Sequence, residues 1–327
     1  MGVGFSLFYA SNMASNDEQP ECRRIELIEG LHGRKNTLIS PVQMMNDANS
    51  TSFTKQDRES HVVYFPGDVQ TFTKEMSLRR VGKKWMNWSF EKTARILQQR
   101  FPTSWIWVVR PHRVHEFVFS CFENFVDCNI IGSPIEFEYR NATEHLQLLL
   151  QNACKSLENI INERSEEENN EGETCVLDGN ERLANENQKH ISVDPTLPVK
   201  LVGFSKGCVV LNQIVFELKQ SLESTTELKN FVKRISAIYW LDGGHSGEEN
   251  TWVTDRETLE VLANTGIKIH AHVTPYQVDD VARPWIAEEH REFVAVLKEL
   301  KADITDKIHF EAIERSLKIH FELLGHF

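Results

Sequence analysis

Apolar residues in the second half of the chain follow two spacings, one typical of buried strands and the other of amphipathic helices. Continuous aliphatic runs such as LPVKLVG at 197–203 predict strands that are buried on both faces. Between these runs, apolar residues recur every three or four positions, which predicts helices. We expect strands at 197–204, 235–241, 266–273 and 307–312, which alternate with helices at 206–220, 254–264, 285–301 and a short final helix. Strands that alternate with helices predict an α/β fold, a mainly parallel, twisted sheet with helices on both faces.

The first half of the chain shows the same pattern less regularly. Its clearest elements are strands at 61–65 and 103–111 and helices at 88–102 and 142–162. Alternation within 23–40 predicts one or two earlier strands. We therefore expect a tail with possible first strands at 1–60 and a single domain at 61–327.

The segment at about 163–194 interrupts this domain. Its periodicity disappears, Glu and Asn dominate, and about eight of the excess negative charges lie at 158–194. Because the alternation of strands and helices resumes afterwards, we interpret the segment as a disordered acidic insertion within one domain. Such a segment is a candidate contact for a basic protein partner.

Charge and cysteine content narrow the classes of partner. The 327 residues carry a net charge of −12, whereas a nucleic-acid surface needs clustered Lys and Arg, so we expect no nucleic-acid binding. The sequence contains no run of about 18 apolar residues, so we predict no transmembrane span. The six cysteines are scattered, as in reduced intracellular proteins, and have no zinc-site spacing. Neither nucleotide-binding glycine motif is present, and we predict no cofactor and no metal.

The N-terminal stretch MGVGFSLFYASNMAS gives no clear targeting signal. It has no basic residue before Arg23, so it is a poor secretory signal and a poor mitochondrial presequence. Gly2 and Ser6 fit the short pattern for N-myristoylation. A tail without regular structure is the simpler interpretation.

Ser205 is the candidate nucleophile. It lies in G-F-S-K-G at 203–207, directly between a predicted buried strand and a predicted helix. This strand, turn and helix form the nucleophile elbow of hydrolases, in which a strained turn exposes the serine hydroxyl. Gly203 and Gly207 let the strand and the helix pass closely. The alternative is an ordinary strand-to-helix turn that happens to contain a serine.

An acyl-transfer site also needs donors for the oxyanion of the tetrahedral intermediate. The elbow supplies the backbone N–H of Lys206 at the start of the helix. A second donor normally comes from the loop after the third strand, where YFPGDVQ offers the N–H of Gly67 or Asp68.

The remaining triad members follow the serine in the order acid, then histidine. Asp280, in the loop after the strand at 266–273, is our preferred acid, with Asp242 and Asp279 as alternatives. His320, after the last strand, is the candidate base, and His245 is a candidate pocket residue. His270 and His272 alternate along a strand, but no third ligand accompanies them, so we expect core packing and not a metal site.

Several blocks resemble a known family. These are YFPGDVQ, RFPTSWIWVV, GFSKGCVVLNQ, YWLDGGHSG, NTWVT and HVTPYQV. They are similar to the α/β-hydrolase-like family named after human chromosome 2 open reading frame 69, from about His61 to the C-terminus except for the acidic insertion. The resemblance implies an α/β-hydrolase fold, a mitochondrial location and no established substrate, with Ser205 at the elbow and His320 as the terminal histidine. The Pro-Gly loop also resembles that of lipid-droplet-associated hydrolases. The lack of a clear presequence leaves a cytoplasmic location as the alternative.

Two functions follow from these features. The first is a serine hydrolase that acts on an ester, thioester or lipid acyl bond of a small-molecule or lipid substrate and supports mitochondrial function. The second is a catalytically silent hydrolase fold that serves as a binding or scaffold protein.

Overall fold

The computed structural model describes residues 21–42, 58–172 and 192–327, with side chains at 22–41, 58–163 and 192–327. In chain order, the strands of these residues are β1 (Glu21–Glu29), β2 (Lys35–Val42), β3 (Ser60–Phe65), β4 (Ser104–Val109), β5 (Arg113–His115), β6 (Phe119–Cys121), β7 (Val199–Phe204), β8 (Ile235–Leu241), β9 (Lys268–Val273) and β10 (Ile304–Ile308). The helices are α1 (Thr73–Ser77), α2 (Arg80–Lys84), α3 (Phe90–Arg100), α4 (Ala142–Gly172), α5 (Cys208–Phe216), α6 (Leu218–Glu223), α7 (Thr226–Arg234), α8 (Arg256–Ala263), α9 (Pro275–Val278), α10 (Pro284–Glu299) and α11 (Leu317–Glu322).

Eight of the described strands form one sheet in the order β1-β2-β4-β3-β7-β8-β9-β10. β2 is antiparallel to both of its neighbours, and the other neighbouring pairs are parallel. This order, with an antiparallel second strand, is that of the α/β-hydrolase fold and confirms the predicted fold class. Because β3, β4, β7, β8, β9 and β10 run in the same direction, the residues that follow them meet along one edge of the sheet.

Side-chain alternation along the strands separates two apolar cores, one on each face of the sheet. On β3, Val63 and Phe65 belong to the larger core, whereas Val62 and Tyr64 belong to the smaller one. Helices α4, α5, α7, α8 and α10 cover the first face, and α3 and α11 contribute to the second. The sheet is therefore buried on both sides, which explains its near-continuous apolar strands.

Several element boundaries differ from the prediction. The last strand is Ile304–Ile308, earlier than the expected 307–312, and His309 follows it. Helix α4 continues to Gly172, so the expected insertion does not begin at 163. Near the C-terminal end of the expected insertion, Val193 is buried, and its N–H donates to the Glu158 carboxylate (3.0 Å).

Other predictions fall on residues outside the described ranges. The rest of the acidic insertion, at 173–191, and the proposed acylation signal at Gly2 both lie there. The one or two strands predicted upstream of residue 61 are two, and these strands, β1 and β2, belong to the eight-stranded sheet. Of the helices in the described ranges, none combines the length and the apolar character needed to cross a membrane.

Candidate active site

The turn at Ser205 has the strained geometry of an elbow. β7 ends at Phe204, a single 3-10 turn spans Ser205–Gly207, and α5 begins at Cys208. Ser205 has a φ of 51°, in the left-handed region that non-glycine residues rarely adopt. Its side chain remains partly exposed although its neighbours are buried. The backbone strain therefore coincides with a serine held at the end of a buried strand.

The two glycines of the motif permit close approach of the backbone. A Cβ on Gly207 would lie 1.9 Å from the carbonyl oxygen of Phe65, and one on Gly203 would lie 2.9 Å from Cα of Cys208. Neither position accepts a side chain, because these contacts involve backbone atoms that cannot move aside. The glycines thus allow α5 to pack against β3 and β7.

Asp242 and His320 form a buried hydrogen bond beside the elbow. Nδ1 of His320 lies 2.6 Å from Oδ2 of Asp242, and both side chains are nearly inaccessible to solvent. Because an ionised carboxylate only accepts hydrogen bonds, Nδ1 carries the proton and the lone pair lies on Nε2. This tautomer is the one that a general base needs.

Thr274 fixes the Asp242 carboxylate. Its N–H donates to Oδ1 (2.7 Å) and its hydroxyl donates to Oδ2 (2.6 Å). Asp242 follows β8 directly and also has a left-handed φ of 49°. The carboxylate is thus held from β9 while it faces the imidazole.

Aromatic rings hold the imidazole on two sides. The ring centroid of His320 lies 4.5 Å from that of Phe204 and 4.5 Å from that of Tyr276. Helix α11, which carries His320, is anchored by Phe321, whose ring stacks on Trp85 and Trp88. The orientation of the base therefore depends on packing as well as on Asp242.

The prediction that Asp280 orients His320 is wrong. Its Oδ2 accepts a hydrogen bond from Nε of Arg283 (2.8 Å) and forms an ion pair with Nη2 of Arg315 (2.9 Å), and Oδ1 accepts from the N–H of Ala282 (3.0 Å). Burial raises the pKa of Asp280, but the bond from Arg283 and the two positive charges outweigh it and hold the pKa below its ordinary value. Asp279 is exposed and does not contact the imidazole either. The alternative acid, Asp242, occupies the position.

Of the two oxyanion donors expected in the loop after β3, Gly67 and Asp68, the first is already engaged. The N–H of Gly67 already donates to Oε1 of Gln70 (2.8 Å), which also accepts from the hydroxyl of Tyr64 (2.8 Å). The N–H of Asp68 makes no backbone or side-chain hydrogen bond among the described residues. A Cβ on Gly67 would lie 2.8 Å from Cβ of Ser205, so this loop is adjacent to the nucleophile.

An ion pair between Lys206 and Asp68 joins the elbow to this loop. Nζ of Lys206 lies 3.3 Å from Oδ2 of Asp68 and donates to the carbonyl of Ile131 (2.8 Å). Oδ1 of Asp68 accepts from the N–H of Ser120 (2.8 Å). Burial raises the pKa of Asp68, and the positive charge of Lys206 opposes this shift. Sequence reasoning missed the pair, because it used only the backbone of these residues.

Ser205 and His320 both line one cavity of about 260 Å³. Its other lining residues are Asp68, Val69, Val118, Phe119, Gly244, His245, Ser246, Tyr276, Gln277, Arg283, Leu317 and Phe321. No hydrogen bond joins Ser205 to His320 among the residues that the structure describes, and catalytic hydrogen bonds are often long without substrate. His245 is one of the residues that line this cavity. Burial lowers its pKa to about 4, so its ring is neutral near pH 7.

His270, His272 and His309 lie close together at the strands β9 and β10. Nδ1 of His272 lies 2.8 Å from Nε2 of His309, and His270 stacks on Tyr239 with ring centroids 4.2 Å apart. Burial lowers the pKa of His272 to about 3 and that of His309 to about 4. Across the described ranges, no group of three or more His, Cys, Asp or Glu side chains is arranged to hold a metal ion.

Residues 24–303 match the model of the protein family described as C2orf69. This range includes Ser205 and Asp242, whereas His320 lies beyond it. The mitochondrial protein C2orf69 homolog of Mus musculus is 41% identical over 285 residues, which cover 82% of this chain and 78% of the mouse protein. The mitochondrial protein C2orf69 of Homo sapiens is 40% identical over 283 residues, which cover 81% of this chain and 73% of the human protein.

The structure also has a general likeness to solved hydrolases. Ferric enterobactin esterase from Salmonella typhimurium is 10% identical, with a TM-score of 0.41 over 94% of this chain and 60% of the esterase. This identity and TM-score are too low to carry an argument about fold or activity. The fold rests on the strand order and directions described above.

Proposed function

The chain belongs to the C2orf69 family, and we propose that it is a serine hydrolase that cleaves an ester, thioester or lipid acyl bond. The observation that carries the proposal is the buried bond from His320 to Asp242 (2.6 Å) beside the left-handed turn at Ser205, with the serine and the histidine on the wall of one cavity. This arrangement has the roles and chain order of a serine hydrolase triad.

In the proposed reaction, Nε2 of His320 takes the proton of the Ser205 hydroxyl as Oγ attacks the carbonyl carbon of the substrate. The imidazole becomes positively charged at this step, and the ionised Asp242 stabilises that charge. The backbone N–H groups of Lys206 and Asp68 donate to the oxyanion of the tetrahedral intermediate. When the intermediate collapses, the leaving alcohol or thiol takes the proton from Nε2, and an acyl group remains on Ser205. Attack by water in the same way then releases the acid.

The relatives named as mitochondrial proteins support a mitochondrial location for this chain. We propose that the hydrolase acts there and supports mitochondrial function.

The competing function, a silent hydrolase fold used as a scaffold, predicts a histidine far from the serine and no pocket between them. The shared cavity favours the enzyme. The acidic insertion that motivated a protein partner lies mostly outside the described residues.

A fluorophosphonate probe, which reacts with activated serines, tests the proposal directly. We expect labelling of the intact protein and its loss in Ser205→Ala, because the probe needs both the hydroxyl and the base. Ser236→Ala is the matched control, since Ser236 lies on β8 and does not line the cavity. Mass spectrometry of the labelled peptide identifies the modified residue. A folded protein that is not labelled at Ser205 would favour the scaffold.

A further inference from the structure

Asp280, Arg283 and Arg315 form a charged cluster at one wall of the cavity. A single carboxylate oxygen forms ion pairs with both guanidinium groups, at 2.8 Å from Arg283 and 2.9 Å from Arg315. Two positive charges against one negative charge leave one positive charge without a partner in the cluster. Arg283 lines the cavity beside Gln277, whereas Arg315 does not line it.

The other charges near the cavity do not cancel this excess. The lining carboxylate is Asp68, and Lys206 already balances it at 3.3 Å. Asp242 lies behind His320, outside the lining, where Thr274 and the imidazole satisfy it. The wall that contains Arg283 is therefore positive toward a bound molecule.

The side chain of Arg283 retains donors for a ligand. Its Nε is used by Asp280, and Nη2 donates to Oε1 of Gln277 (3.2 Å). A guanidinium has five N–H donors in a planar fork, so further donors remain after these two bonds. Both partners also hold the guanidinium in place. An oriented, partly buried guanidinium is suited to a carboxylate or a phosphate, which it binds through charge-assisted hydrogen bonds.

We propose, on the basis of the proposed hydrolase function, that the substrate carries an anionic group, a carboxylate or a phosphate, which binds Arg283 while Ser205 attacks its acyl carbon. Arg283 is then a specificity-determining residue, and Asp280 and Gln277 are its positioning residues. The substrate class is an acyl compound with a negative charge near the scissile bond, as opposed to a neutral glyceride.

Two esters of similar size test the proposal kinetically: mono-4-nitrophenyl succinate, which is anionic, and 4-nitrophenyl butyrate, which is neutral. The readout is the ratio of kcat/KM for the anionic ester to that for the neutral ester. We expect Arg283→Gln to lower this ratio about tenfold to a hundredfold, the range for loss of a charged hydrogen bond. Arg315→Gln is the matched comparison, because it removes the excess positive charge of the cluster but leaves the Arg283 donors on the cavity wall. We therefore expect a smaller fall in the ratio than with Arg283→Gln.

A binding measurement keeps the test independent of turnover. Monoethyl succinate and ethyl butyrate are titrated by calorimetry into Ser205→Ala protein, with and without Arg283→Gln. If the anionic ester binds more tightly than the neutral ester and Arg283→Gln removes this preference, the proposal is supported. A failure to hydrolyse either nitrophenyl ester would count against the hydrolase function but not against anion binding at Arg283. If Arg283→Gln changes kcat/KM and affinity equally for the anionic and the neutral ester, the proposal is overturned.

Two phosphate probes distinguish the source of the anion. Inorganic phosphate and butyl phosphate are compared with succinate as competitors of monoethyl succinate. Stronger competition by butyl phosphate supports a phosphate attached to a carbon chain, and stronger competition by succinate supports a carboxylate. Lack of competition by every anion would overturn the proposal.

Discussion

Two buried carboxylates, Asp242 and Asp280, follow neighbouring parallel strands, yet they bind different kinds of group. Asp242 accepts two hydrogen bonds from Thr274 and one from His320, whereas Asp280 forms ion pairs with two arginines. The arginines are permanently charged and satisfy Asp280, while the neutral donors of Thr274 leave the charge of Asp242 available to an imidazolium. Position at the edge of the sheet therefore identifies candidates, and the donors around each carboxylate decide its role.

The largest expected effect is the loss of kcat when Asp242, and not Asp280, is replaced by an amide. We expect Asp242→Asn to lower kcat for 4-nitrophenyl butyrate about 10³- to 10⁴-fold, because an amide no longer fixes the tautomer or stabilises the charged imidazole. Asp280→Asn should lower it less than about tenfold, because Asp280 contacts the arginines and not the base. Steady-state kinetics of the two variants make the comparison, with circular dichroism to confirm folding. Equal losses of kcat would contradict the roles assigned here.

Asp280 should matter more for the stability of the folded protein than for its activity. We expect Asp280→Asn to lower the free energy of unfolding by about 2 kcal/mol at pH 7, because two guanidinium groups lose a charged acceptor. Urea unfolding measures the difference. Arg315→Gln, which removes one donor and keeps the carboxylate, serves as the smaller matched change.

The pH dependence of that difference follows from the pKa of Asp280. Because the folded protein holds this pKa below about 3.9, the value in an unfolded chain, the stabilisation is fully present above that pH. It is lost as the pH falls through the lower, folded value. The gap between the wild type and Asp280→Asn should therefore be constant from pH 8 to pH 5 and shrink below about pH 4. A gap that already closes between pH 6 and pH 5 would contradict this assignment.

Buried histidines lower stability as the pH falls, starting at a higher pH than the change at Asp280, and they affect the wild type and Asp280→Asn alike. Burial lowers the pKa of His61 to about 4 and that of His145 to about 3, so the unfolded chain binds more protons below about pH 6.5. Stability then falls between about pH 6.5 and pH 4, before the change at Asp280 begins.

The smallest effect should come from the support of Asp242. We expect Thr274→Val to lower kcat about tenfold, because it removes the hydroxyl that donates to Oδ2 (2.6 Å) while the backbone donor to Oδ1 remains. Thr274→Ser retains both donors and should restore most of the activity. If Thr274→Val matches the wild type in kcat, the hydroxyl does not support the carboxylate during the reaction.

Local sequence patterns predicted the elbow but not the acid. Ser205 is recognisable because its strand, its glycines and its helix are contiguous in the chain. Asp242 is identified by donors 32 and 78 residues away, Thr274 and His320, and spacing along the chain contains no record of these contacts. One local signal did point away from Asp280: Arg283 lies three residues later, at the spacing of an ion pair.

The choice between the N–H groups of Gly67 and Asp68 and the end of helix α4 could not be predicted from the sequence for a similar reason. The commitment of the Gly67 N–H to Gln70 depends on a side chain that folds back from three residues later and also contacts Tyr64. Helix α4 extends past the point at which its apolar stripe ends, since polar helix formers continue it. Fold class was predictable because it depends on the alternation of strands and helices, which survives small boundary errors.

The bond between His320 and Asp242 also makes the site a reporter of folding. It joins residues 78 apart in sequence and depends on α11 being packed against Trp85 and Trp88. Contacts of this separation form late, after shorter loops have closed. A folding intermediate that retains the elbow but not α11 would present Ser205 without its base, so the rate of probe labelling during refolding measures the arrival of the last helix.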